Sequence, residues 1–233
     1  MRGLLVAAAA ITALATATPA TAAAVINPDG SVTFNNAAGS NTVNVTYNGL
    51  AGDPTAILTP GLSAFLTLTL NSISGNTFNF SYSLQNTSTV AGTRIPGIGF
   101  NVTPNVTSIT AGAGSIFDET SLNTNFASIG TVEACFNGGP GDCPQSNPAN
   151  SIAFGATGTG TLAFTFGSPQ TSMTLDDFFI RYQGFSTTNI QGQTVTSAVG
   201  VGTPGPVPEP ATWAMMLLGF GGMGVAMRRT RRQ

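Results

Sequence analysis

Hydrophobic and polar residues follow two different patterns along this chain. Through the middle they alternate. In Ala64-Phe-Leu-Thr-Leu-Thr-Leu70, Leu66, Leu68 and Leu70 fall on one face. In Thr77-Phe-Asn-Phe-Ser-Tyr-Ser-Leu84 the apolar set is Phe78, Phe80, Tyr82 and Leu84. A period of two is that of a strand with one face buried, so these two faces are expected to share a core. Ser74-Gly75-Asn76 between them has hairpin chemistry, because Gly and Asn tolerate positive φ. Further strands are expected at Val43–Tyr47, Ile98–Val102, Val106–Thr110, Val132–Phe136, Thr161–Phe166, Phe178–Tyr182 and Thr194–Val199. Asp118–Phe126 is expected as a short helix. Short strands separated by turn-rich segments predict a mainly β chain, an antiparallel β-sandwich or jelly-roll-like ectodomain over 25–199. A Gly/Pro linker over 200–207 then follows.

Unbroken apolar runs replace the alternation at both ends. Met1-Arg2 precedes the run Leu4–Ala15, and small residues crowd Ala20–Ala24. That run is too short to span a bilayer, so 1–24 reads as a cleavable signal peptide ending at Ala22 or Ala24. At the other end, the 17 residues Ala211–Met227 carry no charge. As a helix they extend about 26 Å, just short of a hydrocarbon core of about 30 Å. Arg228, Arg229, Arg231 and Arg232 come directly after and favour the cytoplasmic side. Pro208 and Pro210 keep the approach extended, and Glu209 stands alone between them.

The stretch from Val207 to Arg232 closely resembles the PEP-CTERM sorting signal of Gram-negative bacteria. Pro208-Glu209-Pro210, Trp213-Ala-Met-Met216, Gly219-Phe220-Gly221 and the arginine tail carry the resemblance. It implies recognition and cleavage by an exosortase-type membrane protease. The protein would be held in the inner membrane by helix 211–227 within the sorting signal 208–233. It would then be delivered to the outer surface or released. The resemblance also implies a link to exopolysaccharide or biofilm matrix. The block Asp176-Asp-Phe-Phe-Ile-Arg-Tyr-Gln183, with a cysteine pair upstream, is similar to the cistern-type subset of such proteins.

Charge narrows the choice of partners. Between 25 and 207 the cations are Arg94 and Arg181, against eight carboxylates, and the whole chain has no lysine and no histidine. Phosphate backbones are bound chiefly by Lys and Arg, so a nucleic-acid partner is not expected. Without His or Lys there is no Ser-His-Asp triad, Ser-Lys dyad, Schiff base or Walker lysine. Carboxylate chemistry remains: Asp118/Glu119 and Asp176/Asp177 are the available pairs for glycoside hydrolysis, which needs two carboxyls about 5–9.5 Å apart. No enzymatic activity is expected from them, because such residues commonly serve as turn residues near strand ends. Asp176 and Asp177 are also the candidates for Ca²⁺ with loop carbonyls, although no Asp-x-Asp-x-Asp-Gly loop supports that and no cofactor is required.

Cys135 and Cys143 flank Phe-Asn-Gly-Gly-Pro-Gly-Asp. Two thiols in an exported chain joined by a Gly/Pro turn read as a disulfide. The rival metal site would need more soft ligands than these two. Asn-x-Ser/Thr sequons at Asn44, Asn79, Asn86, Asn101 and Asn105 read as composition. The expected role is therefore a non-enzymatic envelope or matrix protein. The alternative is a secreted carbohydrate-binding module stacking sugars on Tyr47, Tyr82 or Tyr182.

Overall fold

The computed structural model describes residues 24–35, 41–51, 57–126, 129–139, 143 and 150–205. Its first strands are β1 (Ala24–Ile26), β2 (Val32–Asn35), β3 (Thr42–Tyr47), β4 (Leu50–Ala51), β5 (Ile57–Leu58), β6 (Ala64–Ser74), β7 (Thr77–Asn86) and β8 (Arg94–Ile95). Then come β9 (Gly97–Thr103), β10 (Ser108–Ala111), β11 (Glu119–Phe126), β12 (Gly130–Asn137), β13 (Ile152–Ala153), β14 (Thr157–Thr165), β15 (Ser172–Thr188) and β16 (Thr194–Gly205). All pairing is antiparallel, and the main hydrogen-bonded path runs β10-β14-β7-β6-β3-β16-β15-β9-β12-β11. No helix occurs among the described residues, so none there is long and apolar enough to cross a membrane.

The path doubles back at β16. Val195–Val201 pair with β15, whereas Gly202–Gly205 pair with β3. One strand thus belongs to two sheets that face each other, and aromatic rings bridge the gap. Phe34 of β2 meets Phe80 of β7 at 4.9 Å, edge to face. Phe164 of β14 meets Phe136 of β12 at 5.6 Å and Phe100 of β9 at 6.2 Å. Such edge contacts suit the ring quadrupole and add to the area each ring buries. The alternation explains this core directly: Leu66, Leu68, Leu70, Phe78, Phe80, Tyr82 and Leu84 are all buried on the shared inner side.

The two sheets differ on their outer sides. On the sheet built from β11, β12, β9, β15 and the first half of β16, a second cluster of Phe126, Val132, Cys135, Cys143, Phe179 and Val199 covers the outside. Phe179 alternates with Phe178 and Ile180 of the main core, which places it on the opposite face. Gly99 makes room there, since a Cβ would sit 2.8 Å from the Phe126 ring. This is the covered sheet. The other, β10-β14-β7-β6-β3 with the end of β16, has no such cluster on its outer side among the described residues, and is the open sheet.

Two sequence expectations are corrected. Asp118–Phe126 is not helical: Glu119–Phe126 is β11, paired with β12 from Glu119↔Asn137 to Phe126↔Gly130. Its apolar residues are too sparse for a helical stripe, and tertiary pairing decides. Gly200–Gly205 is not a linker but continues β16, where glycine is required by packing. A Cβ on Gly202 would lie 2.6 Å from Val45 and 2.7 Å from Phe178. Ala24, one of the two expected ends of the signal peptide, is the first residue of β1, opposite Phe34. The hairpin at Ser74-Gly75-Asn76 is present, with Gly75 alone taking positive φ (61°), as a type II′ turn requires.

Candidate functional site

Strand β15 carries the densest charge, and its backbone changes face there. Met173 and Leu175 point inward, and after them Phe178, Ile180 and Tyr182 do. The three-residue step is absorbed at Asp177, whose φ is 48°. Asp is one of the few residues that visit this region readily. Asp176 and Asp177 lie beside the point where β16 leaves β15 for β3. The separation opens a cleft of about 370 Å³ lined by Asp29, Ser31, Asp176, Asp177, Phe178 and Val201.

The turn between β1 and β2 forms one wall. Asp29 accepts hydrogen bonds from the Ser31 amide (2.9 Å) and hydroxyl (2.7 Å), which hold its carboxyl below the usual carboxylate range. Asp177 accepts from Asn101 Nδ2 at 3.0 Å, and Asp176 from Thr103 Oγ1 at 3.4 Å. Each carboxylate of the cleft therefore has a neutral partner of its own. Among the described residues no three His, Cys, Asp or Glu side chains gather closely enough to hold a metal ion.

The glycosidase pairs do not converge. Glu119 is in register with Asn137 and hence Gly97, whereas Asp176 is in register with Asn101. Three strand spacings and four residues of rise separate them by roughly 20 Å, well beyond catalytic range. Asp118 instead accepts two hydrogen bonds from Asn150 Nδ2, at 3.0 and 3.2 Å.

The tyrosine platform is also corrected. Tyr47, Tyr82 and Tyr182 are all buried, so none presents a ring to a sugar. Tyr82 stacks on Phe117 at 5.9 Å and its hydroxyl accepts from the Phe117 amide at 3.4 Å. The Tyr47 and Tyr182 hydroxyls have no hydrogen-bond partner among the described residues, and burial raises the pKa of all three phenols. The sequon at Asn86 is closed as well, because its buried amide donates to Thr93 O (3.1 Å) and Ile152 O (3.4 Å).

Cys135 and Cys143 form a disulfide, with Cα atoms 6.3 Å apart, inside the outer cluster of the covered sheet. Glu133, two residues before it, has a role that sequence reading missed. Its two carboxylate oxygens accept the Val102 amide (3.1 Å) and the Val106 amide (2.7 Å), clamping the β9–β10 connection. A lone Glu in a strand gives no sign of this in sequence, since both partners come from another strand's end.

Also missed was the distribution of charge. Every charged residue among those described lies in the covered sheet, its partner strand β8, or loops leading into it; the strands of the open sheet hold none. Register places their outward residues in rows. Asn44, Thr67, Ser83 and Thr159 form one row, and Thr42, Thr69, Ser81 and Thr161 the next. Cross-strand bonds fix several of these side chains: Thr67 Oγ1 donates to Asn44 Oδ1 (2.9 Å), and the Thr42 and Thr69 hydroxyls lie 2.9 Å apart. Phe65, between Thr46 and Gln85 in the adjoining row, is the exposed aromatic of this face.

Pro208, Glu209, Pro210, Trp213, Arg228, Arg229, Arg231 and Arg232 lie outside the described residues, as do 1–23 and the expected helix over 211–227. Gly205, the last of the described residues, pairs opposite Asn44. In comparisons with known proteins, the family model for the PEP-CTERM protein-sorting motif matches residues 206–232. No curated protein and no solved structure matches the chain.

Proposed function

We propose, on the premise of the PEP-CTERM protein-sorting motif at 206–232, that this chain is an exported envelope or extracellular-matrix protein sorted by an exosortase. The motif match is the observation that carries the reading. Around it stand the expected signal peptide over 1–24, the apolar run Ala211–Met227 and the terminal arginines. In this account the tail holds the protein in the inner membrane until cleavage near Pro208–Pro210, after which the β domain passes outward. The domain's role is non-enzymatic, which agrees with a chain lacking His and Lys and with carboxylate pairs held apart. Association with exopolysaccharide belongs to the same reading.

Intact-mass measurement and C-terminal sequencing of the mature protein, with and without the host's exosortase, test it. A C-terminus near Pro208–Pro210 only when the enzyme is present is expected. Glu209→Ala should leave the full tail in place. A terminus at Gln233 in both strains, or normal processing of the Glu209 variant, would remove the sorting account.

A further inference from the structure

We propose that the outer face of the open sheet is a binding platform for a neutral, hydroxyl-rich polysaccharide lying extended across the strands. The outer side of an antiparallel sheet commonly just faces water. A typical soluble chain is about 25% charged, and this one is 7% charged. Here the strands contribute none, while the chain's described charge collects on the other sheet. What remains is a flat array of donors and acceptors, with neighbouring rows separated by the strand repeat.

The array is organised before any ligand arrives. Threonine is stiff at χ1, and the Thr67–Asn44 and Thr42–Thr69 hydrogen bonds hold neighbouring side chains in one arrangement. Binding then freezes few additional rotors, which is where polar surfaces usually lose affinity. Phe65 supplies the apolar element. A pyranose has C–H bonds on its faces and hydroxyls at its rim, so one ring can lie on Phe65 while its neighbours meet Thr67, Ser83 and Gln85.

Charge selects the ligand further. Two arginines against eight carboxylates between 25 and 207 repel a polyanion, and the platform offers a polycation no carboxylate. A second copy of the chain fits less well, because stable protein interfaces have an apolar core and this face offers one exposed ring. The proposal names the ligand class for the matrix role above. Binding is measured whichever C-terminus the protein carries, so either reading can fail without the other.

The test is retention of the mature secreted protein on amorphous cellulose and in galactomannan gels, with alginate as the anionic control. Retention by at least one neutral polymer, none by alginate and no loss in molar salt are expected. Thr67→Lys and Phe65→Ala should each weaken retention roughly tenfold. Arg181→Gln, on the covered sheet, should leave it unchanged. If Thr67→Lys lowers the melting temperature, Thr159→Lys at an exposed position of the same row replaces it. Failure of both neutral polymers to retain the protein overturns the proposal, as do unaffected platform variants or loss of retention in salt. So does a Thr67→Lys effect confined to oligomeric state in sedimentation.

Discussion

Glu133 shows how much one side chain can settle. Its carboxylate receives the amides of Val102 and Val106, and its own amide donates to Asn101 Oδ1 at 3.0 Å. Glu133→Ala leaves the Val102 and Val106 amides to find water or go unmet. Hydrogen bonds to a charged acceptor contribute about 1.5–3 kcal/mol, and a loss of that order is expected in a urea melt. Glu133→Gln, which keeps one acceptor, should recover part of it. Equal stability of all three proteins would show that the clamp contributes nothing.

At the scale of the element, β15 depends on Asp177. Its φ of 48° moves the inward set from Met173 and Leu175 to Phe178, Ile180 and Tyr182. A β-branched residue there meets a steric cost of about 1–2 kcal/mol, so Asp177→Val should lower the melting temperature while Asp177→Gly does not. If Val is tolerated as well as Gly, the strand changes face by some other means. Sequence showed the centre of β15 but not this step, since alternation describes a strand only until a bulge resets it. It showed β6 and β7 well, because seven apolar residues hold an unbroken period of two and Gly75 closes their turn. The three- and four-residue strands β1 and β2 are too short to show any period. The extension of β16 through Gly200, Gly202 and Gly205 looked like linker because glycine usually marks turns, whereas here it admits Val45 and Phe178. The rows of the open sheet could not be read at all, since they follow from pairing between distant segments. The tyrosines were legible as apolar positions and misread as ligand contacts.

For the molecule as a whole, the lack of His and Lys makes stability nearly indifferent to pH across the neutral range. The groups that respond on the alkaline side are the three buried phenols. Burial raises their pKa values in the fold, while the unfolded chain ionises them near pH 10. Their contribution is therefore complete below about pH 10 and is lost as pH rises further. Tyrosinate absorbance should appear together with loss of near-ultraviolet dichroism in an alkaline titration. Ionisation of all three phenols near pH 10 with the fold intact would contradict their burial. The shared strand β16 has a mechanical meaning as well. Its described end is Gly205, ahead of the sorting motif in sequence, and the bonds to β3 and β15 stand across its length. A pull on the tail along that strand loads those bonds in shear, all together and in both sheets, so the domain should resist being drawn out by its own tether.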